Sequence, residues 1–178
     1  MILKQHLISL LPPVLRPVGV SGLILLLGAV PVAAEDLQKE GSFAANWSAA
    51  GESETLVLDE IRAVTTIRSR GVVVTESDQG FVRALQTDCI GINIRDVEAN
   101  GTGRCVWIDS DDDRVVSEIV GALSDAMATV RGTFLGGTGK YAGLTGEYEL
   151  SWQSLLTIEE EGTIHGYSTS MIGTWRLP

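Results

Sequence analysis

The sequence predicts an all-β protein, and three observations carry that expectation. Nearly all the periodic signal after the N-terminal leader has period two. Ile90, Ile92 and Ile94 alternate with Cys89, Gly91 and Asn93, and Tyr148, Leu150 and Trp152 alternate with Glu147, Glu149 and Ser151. That spacing puts apolar side chains on one face of a half-buried strand. Several short β segments are separated by clusters of Gly, Asn and Asp, the punctuation of a sandwich or a barrel. Helix signals are thin: Thr55–Thr66 reads as helical only through Leu56, Glu60 and Ala63, and Ser117–Met127 has room for a single turn.

The chain begins with a targeting pattern. Lys4 and Arg16 precede an apolar run from Val18 to Val32, and Val32-Ala33-Ala34 supplies the small residues a signal peptidase reads. The run is short for a span of about 20 residues, and Pro31 interrupts it. Residues 1–34 are therefore expected to be a signal peptide and 35–178 a single domain. Cleavage leaves 144 of the 178 residues, enough for one sizeable core. With Lys4 and Arg16 gone, 11 basic residues face 23 acidic ones, a net charge of −12. Such a surface repels nucleic acid and anionic lipid. The expected location is periplasmic or extracellular, with no stable membrane insertion after cleavage.

Within the mature chain, 35–51 is rich in Ala, Ser and Glu and reads as loosely ordered. Strand candidates follow at Thr55–Ile67, Val72–Glu76, Phe81–Gln86, Cys89–Ile94, Arg104–Ile108, Arg114–Val120, Ala128–Leu135, Glu147–Trp152 and Thr163–Leu177. The last of these places His165, Tyr167, Thr169, Met171, Gly173, Trp175 and Leu177 on one face. Those are the strand's largest side chains, so that face is expected to point inward.

Cys89 and Cys105 are the only cysteines. In an oxidising compartment a disulfide is the default, with two buried thiols as the alternative. Asn100-Gly101 is a strong signal for a two-residue hairpin. Such a turn would place Cys89 opposite Asp112, about 23 Å from Cys105 at roughly 3.3 Å per residue. The tight turn and the bridge exclude each other. The bridge is preferred, with a loop of about Ile94–Asn100.

The segment Gly132–Trp152, GTFLGGTGKYAGLTGEYELSW, has a Gly-Lys pair that invites a phosphate-loop reading. Phe134 stands where that motif needs its first glycine and Tyr141 where it needs Ser or Thr, so nucleotide binding is rejected. Asp109-Ser110-Asp111-Asp112-Asp113 opens like a calcium loop. Arg114 then replaces the glycine and Val120 the closing carboxylate, so the expected role is a solvated acidic turn without a metal, with a weak single-loop calcium site as the alternative. Two lone cysteines and one mature histidine, His165, make no zinc site. His165 has no nucleophile partner assignable from spacing and is expected to be structural or exposed. Tyr148, Trp152, His165, Tyr167, Met171 and Trp175 are the candidates to line a cavity for a small apolar ligand. A filled core is the competing arrangement, because a small barrel can be packed by its own side chains.

GTFLGGTGKYAGLTGEY resembles the Gly-Gly-Thr-Gly-Lys-aromatic-x-Gly segment of the allene oxide cyclase and dirigent-like barrels, and more so small exported bacterial proteins related to them. In those a cysteine pair and an acidic stretch come first, as Cys89, Cys105 and Asp109–Asp113 do here. The similarity runs from about Cys89 to Trp175. Together with the closing strands it implies a closed antiparallel β-barrel of about eight strands, calycin- or allene-oxide-cyclase-like, and it leaves an oligomer open. It supplies no catalytic residue or cofactor. The expected role is non-enzymatic: binding a small apolar ligand, or a structural or interaction role in the cell envelope. The alternative is a cyclase- or isomerase-type enzyme using the barrel cavity.

Overall fold

The computed structural model describes residues 38–76, 84–96, 98–121, 127–158 and 162–178. Eight strands run in chain order: β1 (Glu40–Val57), β2 (Ala63–Thr75), β3 (Ala84–Arg95), β4 (Ala99–Ile108), β5 (Arg114–Gly121), β6 (Met127–Gly137), β7 (Thr145–Ile158) and β8 (Thr163–Arg176). Each pairs antiparallel with its sequence neighbour, and β8 pairs with β1 to close the barrel. Closure removes the exposed edges that an open sheet of this length would carry. The signal peptide expected at 1–34 lies outside the described residues.

Two expectations about the first strands need correction. Of the stretch read as loose, residues 35–37 lie outside the described residues, and 40–51 belong to β1, an 18-residue strand. Its inward residues Phe43, Ala45 and Trp47 are buried, so small residues here reflect a crowded interior. The candidate Thr55–Ile67 is the end of β1, a turn and the start of β2. Asp59 makes that turn: its Oδ1 accepts the Ile61 and Arg62 N–H groups at 3.1 and 2.8 Å, and its Oδ2 accepts from Arg62 Nε at 2.7 Å. An Asp that bonds the backbone two and three residues ahead substitutes for helical bonds and reverses the chain. The candidate Phe81–Gln86 enters β3 at Ala84, and its first three residues lie outside the described set.

The register of β3 on β4 places Cys89 opposite Cys105, and the two form a disulfide with a Cα–Cα distance of 4.1 Å. The ladder reaches Arg95↔Ala99, so the connection is shorter than the Ile94–Asn100 loop expected. Asn100-Gly101 lies inside β4 and makes no turn.

The inward face of β8 is interrupted. Trp47 pairs with Ser168 and Ala45 with Met171, so Thr169 and Ser170 together oppose Asn46. This bulge adds one residue to the alternation, and a one-residue shift moves side chains to the other face. Before the bulge Gly166 and Ser168 are buried; after it Met171 and Trp175 are. His165 is exposed and Tyr167 is partly covered on the outer wall. The single inward face expected from Thr163 to Leu177 therefore holds only for its second half.

Candidate functional site

The barrel interior has two halves of different character. Around the β4–β5 and β6–β7 turns it is filled by aromatic rings. Trp107 stacks edge-on against Phe134 and Tyr148 at centroid distances of 5.5 and 5.2 Å, and Phe43 reaches Phe134 at 6.2 Å. Met171, Trp175, Val115 and Leu144 complete this half, all nearly inaccessible. Ser117 satisfies its polar atoms: the Trp107 indole N–H donates to Ser117 Oγ at 3.0 Å, and Oγ lies 2.9 Å from the Tyr148 hydroxyl. Burial drives the Tyr148 phenol well above its ordinary ionisation range, and the bond to Ser117 offsets only part of that. Tyr148 is therefore a neutral member of the core.

Toward the β1–β2 turn the inward positions become small. A cavity of about 60 Å³ opens there, lined by Trp47, Ala49, Ile67, Ser69, Cys89, Gly91, Ile119, Val130, Leu150, Trp152 and Ile164. It is partly open, and its surface is mostly apolar. Trp47 and Trp152 form one wall, edge to face with centroids 5.4 Å apart. The Trp47 indole N–H is already engaged by Thr87 Oγ1 at 3.0 Å. The Trp152 indole occupies the space beside Gly166, where a Cβ would come within 2.2 Å of its Cζ2. Only glycine lets the indole take this position, so β8 shapes the cavity through a missing side chain.

Of the residues expected to line a cavity, only Trp152 lines this one. Tyr148, Met171 and Trp175 belong to the packed half, and His165 and Tyr167 sit outside. The bulge explains the two outside residues. For the packed three, alternation gives the correct face but says nothing about height along the barrel axis. Trp47, Ser69, Ile119 and Ile164 were not anticipated. The available signal was the run of small residues Gly51, Ser69, Gly71, Gly91, Gly103 and Gly121, which the register brings to one end. Cys89 forms part of the wall, so the disulfide also braces the cavity.

The acidic stretch and the glycine-rich segment meet at the opposite end. The turn between β4 and β5 is held by Asp109, whose Oδ1 accepts the N–H groups of Asp111 and Asp113 at 2.8 and 3.1 Å. A 3-10 turn at Gly139–Tyr141 carries Lys140 over it. The ammonium lies 2.6 Å from Asp109 Oδ2 and 2.8 Å from Asp111 Oδ2, and the Lys140 N–H donates to Asp113 Oδ2 at 3.1 Å. Gly139 precedes it at φ +52°, and any Cβ there would collide with the Asp113 carboxylate. Burial works to raise the Asp109 carboxyl, but Lys140, the Asp111 N–H and the Tyr141 phenol outweigh it and hold it below its ordinary value. For Lys140, burial works downward and the two carboxylates outweigh it, so its ammonium is held above the usual range. The expectation of a solvated turn is thus corrected for Asp109, whose side chain is inaccessible. A lysine occupies the centre where a cation would have to bind. The Gly-Lys pair of the GGTGKY segment is a clamp on this turn.

Among the described residues no helix is long and apolar enough to cross a membrane. No protein-family model matches the chain, and no curated protein matches it. Among solved structures it is similar to the pterocarpan synthase dirigent protein, at 12% identity and a TM-score of 0.46, over 78% of this chain and 87% of that one. The likeness is distant and concerns the fold.

Proposed function

We propose that this protein is an exported binding barrel that takes a small apolar molecule, or the apolar end of a larger one, into the cavity beside Trp152. The observation that carries this reading is the change in the interior. The half holding Trp107 and Phe134 is filled, whereas the half holding Trp152 leaves about 60 Å³ between apolar walls. A water needs about 10–15 Å³ on this scale and a benzene-binding cavity has about 150 Å³, so the space takes a short chain or the edge of a ring whose remainder stays at the open mouth. Rigid aromatic walls give such a ligand contact area at little entropic cost. Among the described residues the lining side chains include no acid, base or free thiol, which favours binding over catalysis. Export is supported by the leader pattern and by the disulfide, which is stable in an oxidising compartment.

Native mass spectrometry of the exported protein, followed by titration with indole under tryptophan-fluorescence detection, tests the reading. Trp152→Ala should weaken binding about tenfold or more, and Ile119→Phe should occlude the cavity. Binding left unchanged by both variants would place the ligand elsewhere. An intact mass starting near Glu35 is expected, and a mass that retains the leader would refute export by cleavage.

A further inference from the structure

Resting on that reading, we infer that the cavity selects apolar cations, with the apolar end inside and the charged group at the mouth. Two features of the same end of the barrel carry the inference. Among the described residues no charged side chain lines the cavity, and Ser69 holds its one hydroxyl. An ionised group drawn inside would lose its water without a counter-charge, at a cost of several kcal/mol. The ligand's charge must therefore stay at the rim.

The rim is acidic. The turns beyond the cavity present Asp59, Glu60, Asp96 and Glu98, and β1 carries Glu52 and Glu54 on the outer wall of the same end; all are exposed except the partly covered Asp59. Against them stand Arg62, which is tied to Asp59 at 2.5 Å, and Arg95. Arg68, level with Glu52 on the outer wall, faces Asp88 at 3.8 Å. The excess of carboxylates concentrates cations at the mouth and repels anions, more strongly at low ionic strength. The tryptophan faces add attraction for a cation that approaches them. Fatty-acid and other carboxylate ligands are disfavoured on both counts.

The test uses three probes with one apolar body: 4-phenylbutylamine, 4-phenylbutan-1-ol and 4-phenylbutyrate. Protein purified from cells expressing the full chain is titrated with each by calorimetry and tryptophan fluorescence. At low salt the amine should bind about tenfold tighter than the carboxylate, with the alcohol between them, and about 0.5 M salt should compress the series. The exposed triple variant Glu52→Gln, Glu54→Gln, Glu60→Gln should erase most of the amine's advantage and leave the alcohol unchanged. Equal affinity for amine and carboxylate would overturn the charge selection while preserving the cavity as a binding site. Failure of all three probes to bind would remove the binding reading itself, and this inference with it.

Discussion

Replacing Lys140 with methionine removes the ammonium from the Asp109 clamp while keeping the length of the side chain. Asp109 would retain its bonds from the Asp111 and Asp113 N–H groups. Its Oδ2, inaccessible to solvent, would lose the partner at 2.6 Å. Breaking a buried ion pair costs about 3–5 kcal/mol when the remaining charge is stranded, and losing a charged hydrogen bond about 1.5–3 kcal/mol. The retained backbone bonds, together with the partial exposure of Lys140, put the expectation at the lower end, about 2–3 kcal/mol. For a domain of this size that is a fall in Tm of roughly 5–12 °C. Urea unfolding at neutral pH, followed by tryptophan fluorescence, reads the change directly. The pH dependence supplies a second readout. The Asp109 carboxyl is depressed in the folded state, so its contribution is present above the unfolded value of about 3.9 and lost as pH falls through the lower folded value. Without Lys140 the depression shrinks, and acid unfolding should begin at higher pH. A Lys140→Met protein within about 0.5 kcal/mol of the parent, with an unchanged acid midpoint, would refute the clamp.

Cys105→Ala should lower stability by about 3 kcal/mol, since the bridge closes a loop between residues 16 apart; denaturant titration with and without reductant checks this. Ser117→Ala leaves the Trp107 N–H and the Tyr148 hydroxyl without their buried partner, and should cost about 2–4 kcal/mol by thermal unfolding. Burial first, and then the charge of Asp109, push the Tyr141 phenol far above its ordinary range, as burial alone does for Tyr148. Ultraviolet titration should show neither phenol ionising before the barrel unfolds in base. Calcium calorimetry should show no affinity tighter than millimolar, because Lys140 already engages Asp109 and Asp111 and the loop lacks the closing carboxylate; a micromolar isotherm abolished by Asp111→Asn would overturn that assignment.

Local chemistry determined much of this protein. Period two made Ile90–Ile94 and Tyr148–Trp152 strands, since pleating alone sends neighbouring side chains to opposite faces; in β3, however, the isoleucines lie on the exposed outer face, and Cys89 and Asn93 on the other face are the buried ones. The cysteine pair set the register of β3 on β4 against the stronger-looking Asn100-Gly101 turn, because a covalent bridge tolerates no seven-residue offset. The inward face of β8 was legible only as far as its alternation held. The bulge opposite Asn46 belongs to two strands at once, so no pattern within Thr163–Arg176 announces it. The role of GGTGKY was hidden for a similar reason: Lys140 acts on Asp109 and Asp111, residues that meet it only after β5 and β6 have paired. The cavity is a collective property as well. It exists where small side chains from several strands meet at one height and Gly166 makes room for Trp152, and that coincidence is decided by register around the closed barrel.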